Sequence, residues 1–303
     1  KLPRLREFPM TANRLFFSLF AILFSVSFVT ADDSPSAPAP LVWQTDYGTA
    51  YAAAKEQQRM LLIYFEGSPD DAEAKQFAAT LATPEIQKLC RNFELLRIPT
   101  TYEGTVDGET TQLLTHNAFA AMGKQPGLAI VDLKHADREH YQQTVSALPF
   151  GRRLYYAPAL TSTAAVSALL QLPAGTLTQR TMVFAVRMHP GKPASTRGRA
   201  EPVLFSESAG HSAYQARIGV QGHQGFDSRF HRINAILGGA AQEVVAESWP
   251  GEDMLAACFS CVKSWRGSPG HWSAVSGAQH AYGYDIRRGN RGVWYATGLF
   301  AGG

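Results

Sequence analysis

Short apolar runs of strand length alternate with helical stretches along residues 46–172, and this alternation is the strongest constraint on the fold. The run from Met60 to Phe65 is apolar at every position, which is typical of a strand buried on both faces of a parallel sheet. Strands and helices that alternate in this way pack as a sheet covered by helices, so the predicted fold class is α/β. The predicted helices are 46–58, 71–81, 84–91, 109–122 and 161–172, and the predicted strands are 60–65, 93–98, 128–133 and 141–148.

The order of these elements over residues 41–172 resembles the thioredoxin fold. The matching residues are Trp43, Tyr47, Ala53 and Lys55 ahead of the buried strand, and Gln125-Pro126-Gly127 where that family places a cis-proline. Redox members carry Cys-x-x-Cys directly after the strand, whereas this chain has Pro69-Asp70-Asp71-Ala72-Glu73 there. Dithiol exchange needs a low-pKa thiolate and a resolving thiol. The resemblance therefore implies a thioredoxin-like α/β domain without redox activity, serving as a binding or scaffolding module.

Residues 1–31 have the pattern of a secretory signal peptide that starts at Met10. Arg14 supplies the positive n-region, residues 16–29 form the apolar core, and Val29-Thr30-Ala31 is a small-residue cleavage site. The alternative is an uncleaved membrane anchor, although the apolar run is shorter than the roughly 20 residues that span a bilayer. We expect a secreted, periplasmic or cell-envelope protein with no transmembrane span after signal removal. The Pro-, Ser- and Ala-rich stretch 32–40 is predicted to be a linker.

The charge distribution predicts two domains and no nucleic-acid partner. Without residues 1–31, the chain has 24 basic and 24 acidic side chains, so no global field attracts nucleic acid. Residues 32–176 carry 11 Lys and Arg against 16 Asp and Glu, while residues 177–303 carry 13 against 8. Together with the Pro/Gly-containing boundary at 173–176, this asymmetry favours a domain over 41–172 and another over 177–303. The two either dock on each other through opposite charge or merely carry solvated charged surfaces.

The second domain is predicted to end in a β-hairpin. Strands 282–286 and 292–300 flank a turn in which Gly289-Asn290 supplies the residues with positive φ that a hairpin needs. The other predicted elements are a strand at 181–188, a basic loop at 189–199, and helices at 201–218 and 254–265.

Two histidine-containing passages in this half are distinctive. They read Gly222-His-Gln-Gly-Phe-Asp-Ser-Arg229 and Trp265-Arg-Gly-Ser-Pro-Gly-His271. With the closing segment 294–300, they resemble the bacterial, SCP-like members of the CAP superfamily of cysteine-rich secretory, antigen 5 and pathogenesis-related proteins. The resemblance covers 177–303 and implies an α-β-α sandwich. The chain departs from the family pattern at Val244, where Asn is usual, and at Gly298, where Gln is common.

The resemblance places His223, Glu243 and His271 in one cleft. Two imidazoles and a carboxylate can bind zinc or another divalent metal, with a position left open for water or substrate. The same groups can act as an acid–base pair, or form a satisfied polar network that only braces the cleft. Ser268 is a further candidate cavity residue, and so is Glu247, which lies one turn from Glu243 if this stretch is helical. His211 either lines the cavity or is simply packed on its helix.

These observations favour an exported protein whose CAP-like cleft binds a small-molecule, lipid or cell-envelope ligand, with or without a divalent metal. The alternative is a metal-assisted or His/Glu hydrolase that acts on peptide or cell-wall material, so the sequence does not decide whether the protein is an enzyme. A third hypothesis is a thiol oxidoreductase that uses Cys258 and Cys261, which have Cys-x-x-Cys spacing. The position of these two cysteines in a predicted helix argues against this hypothesis, because it favours two thiols buried in the core.

Overall fold

The computed structural model describes residues 40–106 and 108–302. The predicted signal peptide at 1–31, and the predicted linker apart from Pro40, lie outside the described residues. The described chain is mixed α/β, which agrees with the predicted α/β class, while the two specific domain folds stay predictions. No helix in this part of the chain combines the length and the apolar composition needed to cross a membrane.

The first half is built on a four-stranded sheet. Its strand order is β2-β1-β5-β6, with β1 parallel to β2 and the other neighbours antiparallel. The central strand β1 is buried along Leu61 to Phe65, as its apolar run predicts. The helices of this half are α1 (Tyr47–Glu56), α2 (Ala72–Leu81), α3 (Pro84–Cys90) and α4 (Thr163–Leu170), and the strands are β1 (Met60–Glu66), β2 (Phe93–Pro99), β3 (Glu103–Val106), β4 (Glu109–Gln112), β5 (Gly127–Val131) and β6 (Thr144–Pro149).

The helix predicted at 109–122 is wrong. The first four residues form β4, which pairs antiparallel with β3, and two short 3-10 turns at 113–115 and 117–122 follow. The β-branched pair Thr110 and Thr111 suits a strand, and the intervening Gly108 adopts φ +86°, a left-handed conformation suited to a tight turn. The Asp-Gly dipeptide at 107–108 is a hairpin signal that outweighs the helical pattern.

The expected cis-proline is also absent. The peptide bond before Pro126 is trans, and residues 40–106 and 108–302 contain no cis peptide bond. Pro126 nevertheless lies immediately before β5, at the position predicted for it.

The second half is built on another four-stranded sheet, with helices on both faces. The strand order is β7-β9-β10-β8, antiparallel except for the parallel pair β7–β9. Helices α6 and α7 cover one face, while α5 and α8 pack on the other. The helices are α5 (Leu177–Arg187), α6 (Pro202–Ile218), α7 (Phe226–Leu237), α8 (Met254–Gly267) and α9 (Pro269–Ser276), and the strands are β7 (Arg199–Ala200), β8 (Gln242–Glu247), β9 (Ala281–Arg288) and β10 (Trp294–Ala301).

The strand predicted at 181–188 is instead part of helix α5. A capping box starts this helix: the Thr176 hydroxyl accepts a hydrogen bond from the Gln179 N–H, and the Gln179 side chain accepts one from the Thr176 N–H. Every residue from 179 to 186 is buried, so the segment is enclosed on most sides. Periodicity cannot distinguish such a helix from a buried strand.

The closing hairpin is confirmed, but its turn differs from the prediction. Strands β9 and β10 pair antiparallel from Ala281 opposite Ala301 to Arg288 opposite Trp294. The positive φ of +74° belongs to Gly292, and not to Gly289 or its neighbour. The turn therefore spans the five residues between the strands instead of a two-residue loop.

Helix α5 contacts both halves. It packs against β6 of the first sheet and against β9 and α8 of the second half, and one buried core continues through all of them. The described residues from 41 to 302 form one compact unit by their contacts. The division into 41–172 and 177–303 stays a prediction.

Gly283 sets how closely α6 approaches the sheet. A Cβ atom at this position would lie 2.3 Å from the backbone of Leu204, so Gly283→Ala should push the helix away and lower the free energy of unfolding by about 3 kcal/mol. The matched control is Gly210→Ala on the exposed face of α6, where a Cβ meets nothing within 4 Å. That change should stabilise the protein by about 0.5–1 kcal/mol. Urea denaturation measures both, and equal midpoints for the two variants would contradict this account.

Candidate functional site

The backbone just before His223 is held by buried polar side chains of α6. His211 Nε2 donates a hydrogen bond to the Gly222 carbonyl oxygen at 2.8 Å, and the Gly222 N–H donates to Gln215 Oε1 at 3.0 Å. The amide nitrogen of Gln215 donates in turn to the Thr297 hydroxyl of β10 at 3.0 Å. The position of His223 is therefore tied through α6 to the sheet.

Helix α7 and strand β8 bring Arg229 and Glu243 together. Gly225 adopts φ +68° and starts α7, and Arg229 lies one turn into the helix. On β8, Val244 and Ala246 point into the core, so the alternation of side chains places Glu243 on the face covered by α6 and α7. The Glu243 side chain is only 1% exposed.

The Glu243 carboxylate has three partners. Its Oε1 accepts a hydrogen bond from His223 Nδ1 at 3.0 Å, and its Oε2 lies 2.8 Å from Arg229 Nε and 2.7 Å from Arg229 Nη2. His211 Nε2 lies 3.8 Å from Oε1. Burial lowers the pKa of His211, against the opposing effect of Glu243, so this imidazole stays neutral near pH 7. Arg229 is thus the cation that balances the buried carboxylate.

His271 contacts the site through His223. Their ring centroids are 5.8 Å apart, and the His223 side chain is 48% exposed. Burial and the nearby His223 lower the pKa of His271, which leaves a neutral imidazole with a free nitrogen lone pair near pH 7. The structure therefore brings together two of the predicted pairs, His223 with Glu243 and His223 with His271.

The predicted three-ligand metal set does not form. Across the residues that the structure describes, His223, Glu243 and His271 are not a group whose ligand atoms all lie within 4.8 Å of one another. The physical reason is that Glu243 is turned toward Arg229, because an unpaired carboxylate at this burial would be costly.

Within the part of the chain that the structure describes, neither Ser268 nor Glu247 has a hydrogen bond or ion pair to His223, Glu243 or His271. Ser268 stands between α8 and α9, where its N–H donates to the Trp265 carbonyl oxygen. Glu247 is the exposed last residue of a strand, so the helical spacing considered for it is wrong. Glu247 lies four positions after Glu243 along an extended strand, a separation of about 13 Å.

Val244 and Gly298, two positions singled out in the sequence, are both tightly packed. Val244 is 1% exposed and faces the apolar core, where an amide side chain would lack partners. A Cβ at Gly298 would lie 2.5 Å from the ring of Tyr284, which fills that space.

A surface cavity of about 370 Å³ lies beside the buried carboxylate. His211 and Arg229 contribute to its wall, whereas His223 and His271 lie outside it. The role of Arg229 was missed by sequence reasoning, although it closes the same passage, 222–229, that drew attention to His223. The other lining residues are Glu207, Gly210, Tyr214, Gln224, Gly225 and Arg232.

Cys258 and Cys261 are free, fully buried thiols on α8. Burial raises the pKa of both well above the usual value. Since the thiolate is the species that exchanges, these positions do not suit dithiol chemistry. Cys90, also buried, has its pKa raised to about 11 for the same reason.

Arg229→Met should destabilise the protein by about 3–5 kcal/mol, because it leaves the buried carboxylate of Glu243 without a counter-charge. Arg232→Met is the matched control one turn along α7. Arg232 forms a surface ion pair with Glu207, and its side chain is 54% exposed. We therefore expect the free energy of unfolding to fall by at most about 1 kcal/mol. Urea denaturation of both variants, and of Arg229→Met/Glu243→Gln, provides the measurement. The double variant should regain part of the free energy of unfolding that Arg229→Met loses. If it regains none, Arg229 acts by packing alone.

Comparison with known proteins gives no match to a family model, to a protein of curated function or to a solved structure.

Proposed function

We propose that the protein is an exported binding protein whose ligand site lies at His223 and His271 in a CAP-like second half. The passage Ser268-Pro-Gly-His271 and the helices on both faces of the second sheet support this assignment. The first half serves as a thioredoxin-like module without redox activity. Its sheet order and strand directions, together with the absence of a dithiol after β1, support that part.

The hydrogen bond from His223 Nδ1 to Glu243 carries the proposal. A carboxylate only accepts hydrogen bonds, so His223 Nδ1 carries the proton of this contact, and in the neutral imidazole Nε2 carries the lone pair. Metal-binding histidines are commonly oriented in this way by a carboxylate that is not itself a ligand. Glu243 is therefore a positioning residue, and the ligating atoms belong to the two imidazoles.

His223 and His271 fit a divalent metal such as zinc. Both imidazoles are partly accessible, and the lowered pKa of His271 keeps it neutral at physiological pH. A metal held there by two protein ligands has positions left for water or for a donor atom of a bound ligand. The neighbouring cavity of about 370 Å³ has the size of a small-molecule site. A small molecule, a lipid headgroup or a cell-envelope component is the proposed ligand class.

Zinc titration by calorimetry on the full chain tests the site. His223→Ala and His271→Ala should each lower the zinc bound per chain by one, while His280→Ala, an exposed histidine in the same half, should not. Glu243→Gln should weaken binding by roughly 10–100-fold without abolishing it, as expected for a group that orients a ligand. Unchanged zinc binding in both histidine variants would refute the metal site.

The same hydrogen bond favours a second candidate, a hydrolase. An imidazole oriented by a carboxylate can act as a general base toward a bound water. Screening peptide and cell-wall substrates separates the two functions: a hydrolase loses turnover in His223→Ala and Glu243→Gln and keeps it in His280→Ala. Absence of turnover in the parent leaves the binding function.

A further inference from the structure

Three potential metal ligands lie in the loop that joins β5 to β6. Asp132 follows β5 directly, and His135 and His140 come three and eight residues later. The loop is closed at its base, since the Asp132 N–H donates to the Gln143 carbonyl oxygen at 3.0 Å and the Gln142 N–H donates to the Asp132 carbonyl oxygen at 2.7 Å. The side chains are thus carried by a loop of defined shape.

Both imidazoles converge on one oxygen of the carboxylate. Asp132 Oδ2 lies 2.9 Å from His135 Nδ1 and 3.1 Å from His140 Nε2. The other oxygen, Oδ1, accepts the backbone N–H groups of Lys134 and His135 at 2.9 and 3.1 Å, which fixes the orientation of the carboxylate. The ligand atoms of the three residues all lie within 4.8 Å of one another.

His140 supplies an independent observation. Its side chain is only 8% exposed and its Nε2 is buried, yet this nitrogen makes no hydrogen bond of acceptable geometry despite its closeness to Asp132. Native structures satisfy nearly all buried polar atoms with well-aligned hydrogen bonds, so a buried nitrogen whose nearest acceptor is poorly aligned is under-satisfied. A cation between the carboxylate and the two imidazoles would bind the lone pair of this nitrogen directly.

We propose that Asp132, His135 and His140 form a zinc site that braces the loop between β5 and β6. Two imidazole nitrogens and a carboxylate oxygen are zinc ligands, while calcium and magnesium prefer oxygen alone. Zinc–ligand bonds of about 2.0–2.1 Å imply separations of roughly 3.3 Å between ligands, so the observed contacts need to open by only a few tenths of an ångström.

The surroundings allow a cation to enter. The His135 side chain is 26% exposed, whereas Asp132 is fully buried. Burial acts to raise the pKa of Asp132, but the contacts of His140 and His135 and the two backbone N–H groups hold it well below its usual range, so the ligand oxygen is charged. The buried cation Arg180 interacts electrostatically with Asp132, but its hydrogen bonds go to Ser146 and to backbone carbonyl oxygens.

This site is independent of the proposed cleft, and the experiment separates them. The full-length chain carrying His223→Ala/His271→Ala is loaded with zinc, desalted and analysed for metal. We expect one zinc per chain, lost when His135→Ala is added and restored by His135→Cys, whose thiolate is also a zinc ligand. Glu139→Gln, which removes an exposed acid from the same loop, is the matched control and should keep the zinc.

Either of two results overturns the loop site: no zinc in the His223→Ala/His271→Ala protein, or equal zinc after His135→Ala. If circular dichroism shows that the protein with His135→Ala added does not fold, a second measurement takes its place. The melting temperature of the His223→Ala/His271→Ala protein then tests the loop site, because zinc that binds the folded state must raise it. No rise overturns the proposal. Equal zinc in that protein and in the parent would overturn the cleft metal alone and leave the loop site standing.

Discussion

The burial of helix α5 between the two sheets is the constraint on which the remaining structure depends. Each residue from 179 to 186 is buried, and the helix contacts strands of both halves. Arg180 in its first turn is 1% exposed, and burial lowers its pKa to about 10, so it remains charged at neutral pH. Its guanidinium donates to Ser146 and to the carbonyl oxygens of Leu172 and Pro173. A buried charge is tolerable only when satisfied in this way, which requires β6 and the segment after α4 to keep their places.

A second buried charge determines the chemistry of the second half. Glu243 is balanced by Arg229 and hydrogen-bonded to His223, so its lone pairs are largely committed. What remains accessible is the imidazole surface of His223 and His271. These imidazole nitrogens are the groups that the proposed site offers a metal, with the carboxylate acting behind His223 as an orienting group.

Local pattern predicted most elements of the fold, and the failures share a cause. Strand β1 has a continuous apolar run, and helix α6 is marked by Pro202 at its start and Gly219 at its end. Helix α5 was predicted as a strand because its burial on several sides comes from two sheets that the segment itself does not encode. At 109–112, pairing with β3 overrides the helical pattern.

The candidate sites were also predicted only in part. The proximity of His223, Glu243 and His271 was expected from a resemblance, but the partner of Glu243 was not, since Arg229 meets it only when α7 lies over β8. The convergence of Asp132, His135 and His140 depends on how the loop after β5 closes, which spacing alone does not reveal.

The close approach of α6 at Gly283 has a consequence for recognition. Because the helix lies against the strand backbone, the hydroxyls of Ser208 and Ser212 reach the carbonyl oxygens of Gly283 and Asp285 at 3.1 Å. Sliding the helix along the sheet would break these bonds, so the loop that presents His223 inherits the stiffness of the sheet. The His223 imidazole is therefore pre-organised, and binding of a ligand costs little conformational entropy at that residue.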